Sequence, residues 1–299
     1  MCGIMGFYCF GDKKPDKEKI GNMFSLLETR GHDAAGFAFI REGNLIVNKG
    51  PIRSSVLVQS KEWQDLELPR IMILHTRMKT VGSEKKSFNN HPIYNKEGVA
   101  IVHNGIIHND HEIFGKNQKR DGEVDSEAIL AVISSRGKGD RIKKVFDRID
   151  GSFAVAVIDK NNPEQLILIK KDNPLELYYN SEDDILYFCS ERQIMQEALG
   201  IQSESKRGFN LGENQFHYYD MENNHGLVLN SEGVDSYKKY NVRDWWSEKA
   251  SYGRHDIDLL RVQCPHCLSQ TKYYDGILHN KCEVCGAWIT EEDLYGSIW

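Results

Sequence analysis

Short apolar runs separated by polar turns recur along the chain as far as about residue 235, and this pattern predicts many strands. A first buried strand is predicted at residues 2–10, and a hairpin at Gly36–Lys49 turns at Glu42-Gly43-Asn44. The remaining predicted strands are Ile71–His75, Val99–His103, Ser152–Ile158, Gln165–Ile169, Leu175–Tyr179, Ile185–Cys189, Gln215–Tyr219 and Gly226–Leu229.

Three segments instead repeat their apolar residues with the period of a helix. Residues 16–29 place Ile20, Phe24 and Leu27 on one face, and Arg141–Ile149 is a second predicted helix. The third is Asp125–Ser135, whose apolar residues are Ala128, Ile129, Val132 and Ile133. Many strands combined with helices predict a layered α+β domain.

The pattern changes towards the C-terminus and predicts three regions. Residues 2–235 form the layered domain, 236–262 are a polar and aromatic linker or adaptor containing Trp245 and Trp246, and 263–299 are a separate small module. With 299 residues, one large domain and a small module are a reasonable division.

Composition excludes some classes of protein. Hydrophobic residues make up 40% and charged residues 27%, which is ordinary for a globular protein, and the net charge of −6 argues against a strongly nucleic-acid-binding surface. No apolar run approaches the ~20 residues that span a bilayer, and the start lacks a secretory signal. We therefore expect a cytoplasmic protein with reduced thiols and no membrane partner.

Four of the seven cysteines form two C-x-x-C pairs with fourteen residues between them. Cys264, Cys267, Cys282 and Cys285 thus have the spacing of a Cys₄ zinc ribbon, whose closed site makes the zinc structural. The competing interpretation, a redox dithiol, expects a thioredoxin-like βαβ context that the sequence lacks.

The chain starts Met1-Cys2-Gly3, and this places a cysteine where removal of Met1 would expose it. Cys2 would then carry a thiol beside its own α-amine, whose ordinary pKa of about 7.7–8.0 leaves much of it basic near neutrality. Such a residue is a nucleophile with its own base. The alternative is an ordinary small residue near the start of the chain.

Several polar clusters stand at the ends of predicted strands. They are Arg30-Gly31-His32-Asp33-Ala34-Ala35-Gly36, His75-Thr76-Arg77-Met78-Lys79-Thr80-Val81-Gly82, Asn89-Asn90-His91-Pro92, His103-Asn104-Gly105-Ile106-Ile107, Asp125-Ser126-Glu127 and Tyr187-Phe188-Cys189-Ser190-Glu191. Together with Cys2-Gly3-Ile4-Met5-Gly6, over about residues 2–230, they resemble the class II glutamine amidotransferases. These are N-terminal-nucleophile hydrolases with a four-layer αββα fold, and the resemblance is to the glutaminase domains of glucosamine-6-phosphate synthase and amidophosphoribosyltransferase.

The resemblance implies a role for each group. Cys2 would attack the side-chain amide of L-glutamine and form a γ-glutamyl thioester, with the Asn104 side chain and the Gly105 N–H as the oxyanion hole. Arg77 would bind the α-carboxylate and Asp125 the α-ammonium. The resemblance also implies that Arg30 and Gly31 shape the pocket over Cys2. Thr80 and His91 would line the loop that closes on glutamine. Met78 stands where the relatives often have Trp.

Each site residue also has an ordinary structural interpretation. Asn104-Gly105 could be a type I′ turn, Asp125 a helix N-cap, and Arg77 a surface ion pair. For His75 and His103 we prefer a purely structural role, and Cys9 and Cys189 are expected to be buried small hydrophobes.

The leading hypothesis is a glutaminase subunit that releases ammonia to an acceptor on a separate synthase partner. The sequence after 235 is too short for a synthase domain, so the partner would dock through Trp245, Trp246 and the zinc ribbon. Two alternatives stay open: a zinc-bearing binding module that senses glutamine, with nucleic acid as a conceivable but unsupported partner, and an amidase of the same fold acting on another amide.

Overall fold

The computed structural model describes residues 2–114, 120–135, 139–201, 217–242, 259–264, 266–267, 269–274, 280–282 and 284–289. The chain divides into two compact units, Met1–Arg243 and Asp244–Trp299. Among the described residues, no helix combines the length and the apolar character needed to cross a bilayer.

The first unit is built mainly from strands. They are β1 (Gly3–Cys9), β2 (Ala34–Arg41), β3 (Asn44–Gly50), β4 (Ile71–Arg77), β5 (Ile93–Tyr94), β6 (Val99–Ile107), β7 (Gly151–Asp159), β8 (Asn162–Lys171), β9 (Glu176–Asn180), β10 (Ile185–Cys189), β11 (His217–Asp220), β12 (His225–Asn230) and β13 (Gly233–Lys239). Its helices are α1 (Lys17–Leu26), α2 (Ser54–Leu57), α3 (Lys61–Gln64), α4 (Asp110–Phe114), α5 (Ser126–Ile133), α6 (Arg141–Arg148) and α7 (Arg192–Leu199), with 3-10 turns at Leu27–Arg30 and Ser87–Asn89.

These strands form two antiparallel sheets. The seven-stranded sheet has the order β11-β9-β10-β1-β4-β2-β3, and the six-stranded sheet has the order β13-β12-β8-β7-β6-β5. β1 lies inside the first sheet between β10 and β4, with Met5 opposite Cys189 on one side and Leu74 on the other. The start of β1, where Cys2 lies, is thus held by strands from distant parts of the chain.

Three apolar clusters separate the layers. One packs α1 and α7 on the outer face of the first sheet, one packs α5 and α6 on the outer face of the second, and the third fills the space between the sheets. Period-two alternation explains this division, since Met72 and Leu74 of β4 face the helices while Ile71 and Ile73 face the other sheet. The four-layer αββα arrangement predicted for the chain is confirmed.

The strands at the site are longer than predicted. β4 continues from the predicted end at His75 to Arg77, and β6 continues from His103 to Ile107. The helix α7 was not predicted, although Gly200 ends it in the left-handed conformation that favours glycine, at φ 70°.

The boundary predicted at residue 235 falls inside β13, which pairs with β12 as far as Lys239 opposite His225. Residues 236–239 therefore belong to the second sheet and not to a linker. Trp245 and Trp246 lie outside the described residues. Residue 215, the predicted start of the strand observed as β11, also lies outside them.

The described residues of the second unit include four short strands that pair in two antiparallel ribbons. β14 (Leu259–Gln263) pairs with β15 (Gln270–Tyr274), and β16 (Asn280–Lys281) pairs with β17 (Trp288–Ile289). One C-x-x-C pair lies between the two strands of each ribbon.

Candidate functional site

Cys2 lies just before β1 and is half-buried. Its thiol donates to the Met78 carbonyl oxygen, with 3.6 Å between Sγ and O. Burial raises the pKa of the Cys2 thiol above its ordinary value, and the charge of the nearby Arg77 guanidinium opposes that rise. The thiol is therefore protonated at neutral pH and needs a base before it can attack.

Arg30 connects the groups around Cys2. It ends the 3-10 turn that follows α1 and is buried. Its Nε donates to the Cys2 carbonyl oxygen at 2.8 Å, and its Nη1 donates to the Glu191 carboxylate at the start of α7. Arg30 therefore fixes the backbone that carries the thiol.

The Asn104 side chain hydrogen-bonds to the same Cys2 carbonyl oxygen. In the amide orientation that satisfies both ends of its side chain, Nδ2 donates to the Cys2 carbonyl oxygen at 3.0 Å and Oδ1 accepts from Arg30 Nη2 at 3.3 Å. An amide nitrogen has two hydrogens, so a second donor remains for an oxyanion.

The Asn104-Gly105 pair is not a turn, contrary to one interpretation of the sequence. Both residues continue β6, where Gly105 lies opposite Phe153 of β7. Gly105 has a φ of 149°, and a Cβ on it would lie 2.0 Å from the Ser152 carbonyl oxygen. Only glycine fits the backbone at this position.

Arg77 ends β4 and is buried, so the surface ion pair suggested as an alternative is wrong. Its guanidinium donates to neutral oxygens: the Asn90 side chain at 2.8 Å and the carbonyls of Val81 at 2.6 Å and Gly82 at 2.9 Å. No carboxylate of the described residues forms an ion pair with it within 4.0 Å. Burial lowers the pKa of Arg77, which is the electrostatic cost that a bound anion would offset.

Asp125 precedes α5 but does not cap it with its side chain. Its Oδ2 instead accepts from the Ile107 N–H at 2.7 Å, which ties the carboxylate to the end of β6. Asp125 is therefore the N-cap residue of α5 by position, but its half-buried carboxylate is held instead at the strand end that also carries Asn104 and Gly105.

Gly31 packs directly on the backbone beside Cys2. A Cβ there would lie 2.4 Å from the Arg77 carbonyl carbon and from the Met78 nitrogen, so any larger residue would push this peptide away. Thr80 is exposed in the bend after β4, and its place in the glutamine pocket stays a prediction.

His91 belongs to a buried group of imidazoles. Its ring stacks on His75 with 4.1 Å between centroids, and neither of its ring nitrogens has a hydrogen-bond partner among the described residues. His75 Nε2 lies 3.0 Å from the His103 carbonyl oxygen, and His103 Nδ1 lies 2.8 Å from Ser126 Oγ. The contact of His91 with glutamine stays a prediction.

Desolvation keeps all three rings neutral. It lowers the pKa of His75 to about 3 and lowers the pKa of His91 well below its ordinary value. The pKa of His103 is also lowered by burial, although the Asp125 carboxylate acts in the opposite direction.

Several contacts at the site were not predicted from the sequence. The Met78 carbonyl receives the thiol, Asn90 holds Arg77, and Glu191 holds Arg30. All three stand inside polar clusters that the sequence does reveal, but their contacts depend on folding, which no spacing rule supplies. For Asn90 and Glu191, a polar residue beside a strand end was the only signal in the sequence.

In the second unit, the sulfurs of Cys264, Cys267, Cys282 and Cys285 all lie within 4.8 Å of one another. The Cys264–Cys285 and Cys267–Cys282 distances are 3.8 and 3.7 Å. Four sulfurs at about 2.3 Å from a tetrahedral zinc ion lie about 3.8 Å apart, so the donor set fits that ion. The four residues form a possible metal site.

Comparisons with known proteins agree with this geometry. A family model described as a glutamine amidotransferase domain matches residues 75–197. A glutamine–fructose-6-phosphate aminotransferase of Caldanaerobacter subterraneus is 35% identical over 183 residues, which are 58% of this chain and 29% of that protein. A protein of the same description from Clostridium acetobutylicum is 27% identical over 277 residues, covering 87% of this chain and 42% of the relative.

Among solved structures, glutamine phosphoribosylpyrophosphate amidotransferase from B. subtilis superposes with a TM-score of 0.61 at 18% identity, covering 80% of this chain and 49% of that one. This likeness shows the fold alone. The chain spans less than half the length of these relatives. The chain therefore carries a region similar to glutamine amidotransferase domains, on an αββα fold with Cys2 at the start of a central strand.

Proposed function

We propose that the protein hydrolyses L-glutamine to glutamate and ammonia through a thioester on Cys2. The observation that carries this proposal is the convergence of Arg30 and Asn104 on the Cys2 carbonyl, with the buried and anion-free Arg77 guanidinium at the end of the adjacent strand. Arg30 and Asn104 hold the backbone of the nucleophile, and the Arg77 guanidinium fits the α-carboxylate of an amino acid.

The reaction then runs in two stages. After removal of Met1, the Cys2 α-amine takes the thiol proton, and Sγ attacks the side-chain carbonyl carbon of glutamine. Asn104 Nδ2 and the Gly105 N–H stabilise the negative oxygen, and removal of one such donor typically costs ~10²–10³ in rate. Breakdown of the tetrahedral adduct breaks the C–N bond and returns the proton to the departing ammonia. A water molecule then attacks the thioester, which yields glutamate and the free thiol.

Binding of the amino-acid end uses opposite charges at the end of β4 and at the start of α5. Arg77 supplies a buried guanidinium cation for the α-carboxylate, and Asp125 supplies an acceptor for the α-ammonium. Discrimination between free glutamine and other amides follows from this pair, because an amide without the two charges would leave the Arg77 guanidinium buried without a counter-ion.

Glutamate and ammonia production by purified, Met1-processed protein tests the proposal, with Cys2→Ala as the control. Turnover that disappears in Cys2→Ala is expected. Mass spectrometry confirms removal of Met1, and alkylation confirms that Cys2 is accessible. If the processed protein then neither turns over glutamine nor is protected by glutamine against alkylation, the proposal is refuted.

We further propose that the ammonia passes to an acceptor on a synthase partner and that the ribbon of the second unit contributes to docking. The relatives include proteins described as aminotransferases and amidotransferases, and the chain spans only part of them. Cytoplasmic residence belongs to the same proposal, because a reducing compartment keeps Cys2 and the four ribbon cysteines as thiols.

Zinc is the metal we propose for the ribbon. The Val284 and Cys285 N–H groups donate to Cys282 Sγ at 3.4 and 3.5 Å, and such bonds stabilise a thiolate ligand. A site closed by four sulfurs has no open position for a substrate, so the ion would stabilise the fold of the ribbon.

Metal analysis of the purified chain is expected to give one zinc ion per molecule, and Cys282→Ser is expected to lose it. Because the site is structural, basal glutaminase activity should survive this change. A metal content unaffected by Cys282→Ser would contradict the assignment, and Cys9→Ser is the matched control.

A further inference from the structure

Asn89 has an amide side chain that is fully buried and fully hydrogen-bonded. Its Nδ2 donates to the Ser83 carbonyl oxygen at 3.0 Å and to Glu123 Oε2 at 2.8 Å, while its Oδ1 accepts from the Glu123 N–H at 2.8 Å. Both amide hydrogens and the oxygen are thus used, and two of the three bonds reach a segment 34 residues away.

The two segments joined by Asn89 carry the two charges proposed to bind glutamine. On one side, Ser83 follows Gly82, whose carbonyl accepts from Arg77 Nη2 at 2.9 Å. On the other side, Glu123 precedes Asp125 by two residues in the chain. One amide therefore connects the loop that holds the cation with the loop that presents the anion.

Glycines on both loops allow this close approach. A Cβ on Gly82 would lie 2.8 Å from Asn89 Nδ2, and a Cβ on Gly122 would lie 3.1 Å from Asn89 Oδ1. Gly122 is fixed in turn, since its N–H donates to Glu127 Oε1 at 2.6 Å. The amide thus fits between two backbones, and a shorter side chain would leave buried donors and acceptors unpaired.

We infer that Asn89 is a positioning residue that sets the spacing between Arg77 and Asp125, and thereby selects amides that carry both an α-carboxylate and an α-ammonium. The inference rests on the proposed glutaminase function. Simultaneous contact with both charges requires the two loops to keep one separation, and a displacement of about 1 Å at a bound substrate can cost ~10²-fold in rate.

The test compares L-glutamine with glutaramate, the same amide without the α-amino group. In the native protein the ratio of kcat/KM for the two substrates reports the contribution of Asp125. For Asn89→Ala we expect this ratio to fall at least tenfold, although neither charged side chain is altered. The rate at which iodoacetamide alkylates Cys2, followed on its peptide by mass spectrometry, should stay unchanged.

A general loss of structure would lower kcat/KM for both substrates together, so an unchanged ratio in Asn89→Ala overturns the inference. Lys86→Ala is the matched control, because Lys86 also binds Glu123, at 2.6 Å, but from an exposed position. The ratio in Lys86→Ala should stay near its native value.

A second pair of variants serves if Asn89→Ala does not fold. Asn89→Asp places a carboxylate against the Glu123 carboxylate and should lower the ratio. Adding Glu123→Gln supplies a donor and should recover part of the loss, whereas no recovery would count against the contact.

Failure of the proposed function has a different signature. If Asp125→Asn leaves the glutamine-to-glutaramate ratio unchanged, Asp125 is not the ammonium site. If Asp125→Asn lowers the ratio and Asn89→Ala does not, only the role of Asn89 fails. If turnover is slow, the affinity of each substrate can be measured from the concentration that protects Cys2 from alkylation. The ratio of the two affinities then replaces the ratio of kcat/KM.

Discussion

At the scale of single residues, the site depends on a few positions where the backbone allows one residue type. Gly105 needs a positive φ, and Gly31 lies against the Arg77–Met78 peptide with no room for a side chain. Both were singled out from the sequence through resemblance to a family. Their steric reason becomes visible only once the neighbouring strand and turn are in place.

Replacement of Gly105 by alanine should damage both activity and stability. The new methyl group would meet the Ser152 carbonyl oxygen at 2.0 Å, so β6 and β7 must separate next to the proposed oxyanion hole. We expect kcat to fall by ~10² or more, in the range that follows loss of one oxyanion donor. Steady-state kinetics and a thermal melt measure the two effects.

Gly43→Ala provides the control for Gly105→Ala. Gly43 also has a positive φ, of 72°, but a Cβ there would meet nothing within 4 Å. This variant should show the strain of the backbone alone, with native kcat. Equal kcat values for the two variants would contradict the steric argument.

Residues that act through their own type are the ones the sequence could assign. The resemblance implied roles for Cys2, Arg77 and Asn104, whose thiol, guanidinium and amide suit the chemistry, and these roles stay predictions. Asn90 and Glu191 were not assigned, because their importance lies in contacts with Arg77 and Arg30 that no spacing along the chain reveals.

At the scale of elements, periodicity located most strands and the main helices but ended the site strands too early. β4 and β6 run on through Arg77 and Ile107, where polar residues interrupt the apolar pattern. The interruption coincides with the proposed site, whose chemistry would require polar side chains at those strand ends. Short helices such as α2 and α3, of four residues each, give too few turns for a periodic signal.

The junction between β10 and α7 should affect catalysis although it carries no group that touches the substrate. Glu191 pairs with the buried Arg30, which in turn holds the Cys2 carbonyl. Glu191→Gln removes the charge that pairs with the buried Arg30, so we expect kcat to fall about tenfold and stability by about 1–2 kcal/mol. Chemical denaturation and steady-state kinetics test this.

Asp183→Asn is the comparison for Glu191→Gln. Asp183 pairs with Lys13 at 3.0 Å, and both side chains are exposed. An exposed pair contributes at most about 1 kcal/mol, so kcat should be native and stability nearly so. A native kcat in Glu191→Gln as well would show that Arg30 keeps its position without the pair.

At the scale of the whole molecule, the assembly of the layers could not be derived from periodicity. β1 pairs with β10 and β4, which come from distant parts of the sequence, and this pairing places Cys2 between Arg30 and Asn104. Resemblance to a family supplied the four layers that local patterns cannot. The same holds for the histidines, whose stacking depends on three separate segments.

The three buried histidines should make the folded state sensitive to acid. His75, His91 and His103 are all neutral in the fold because burial lowers the pKa of each, to about 3 for His75. Lys49 and Arg77 lower the pKa of His75 and His91 further, and Asp125 raises that of His103. In the unfolded chain each has an ordinary pKa near ~6.5.

The sign follows from proton binding. Above about pH 6.5 neither state binds a proton at these rings, and stability does not depend on them. Below that pH the unfolded chain takes up protons that the folded chain cannot, so stability falls with pH, and for His75 it continues to fall down to about pH 3. Each ring contributes up to ~1.4 kcal/mol per pH unit.

Denaturant unfolding followed by circular dichroism at pH 7.5, 6.0 and 5.0 measures this dependence. In His91→Gln the loss of stability between pH 6.0 and 5.0 should be smaller than in the native protein by about 1 kcal/mol, because one buried base is gone. His111→Gln is the control, since His111 is exposed. An identical pH dependence in His91→Gln and the native chain would mean that His91 can take up a proton without unfolding the domain.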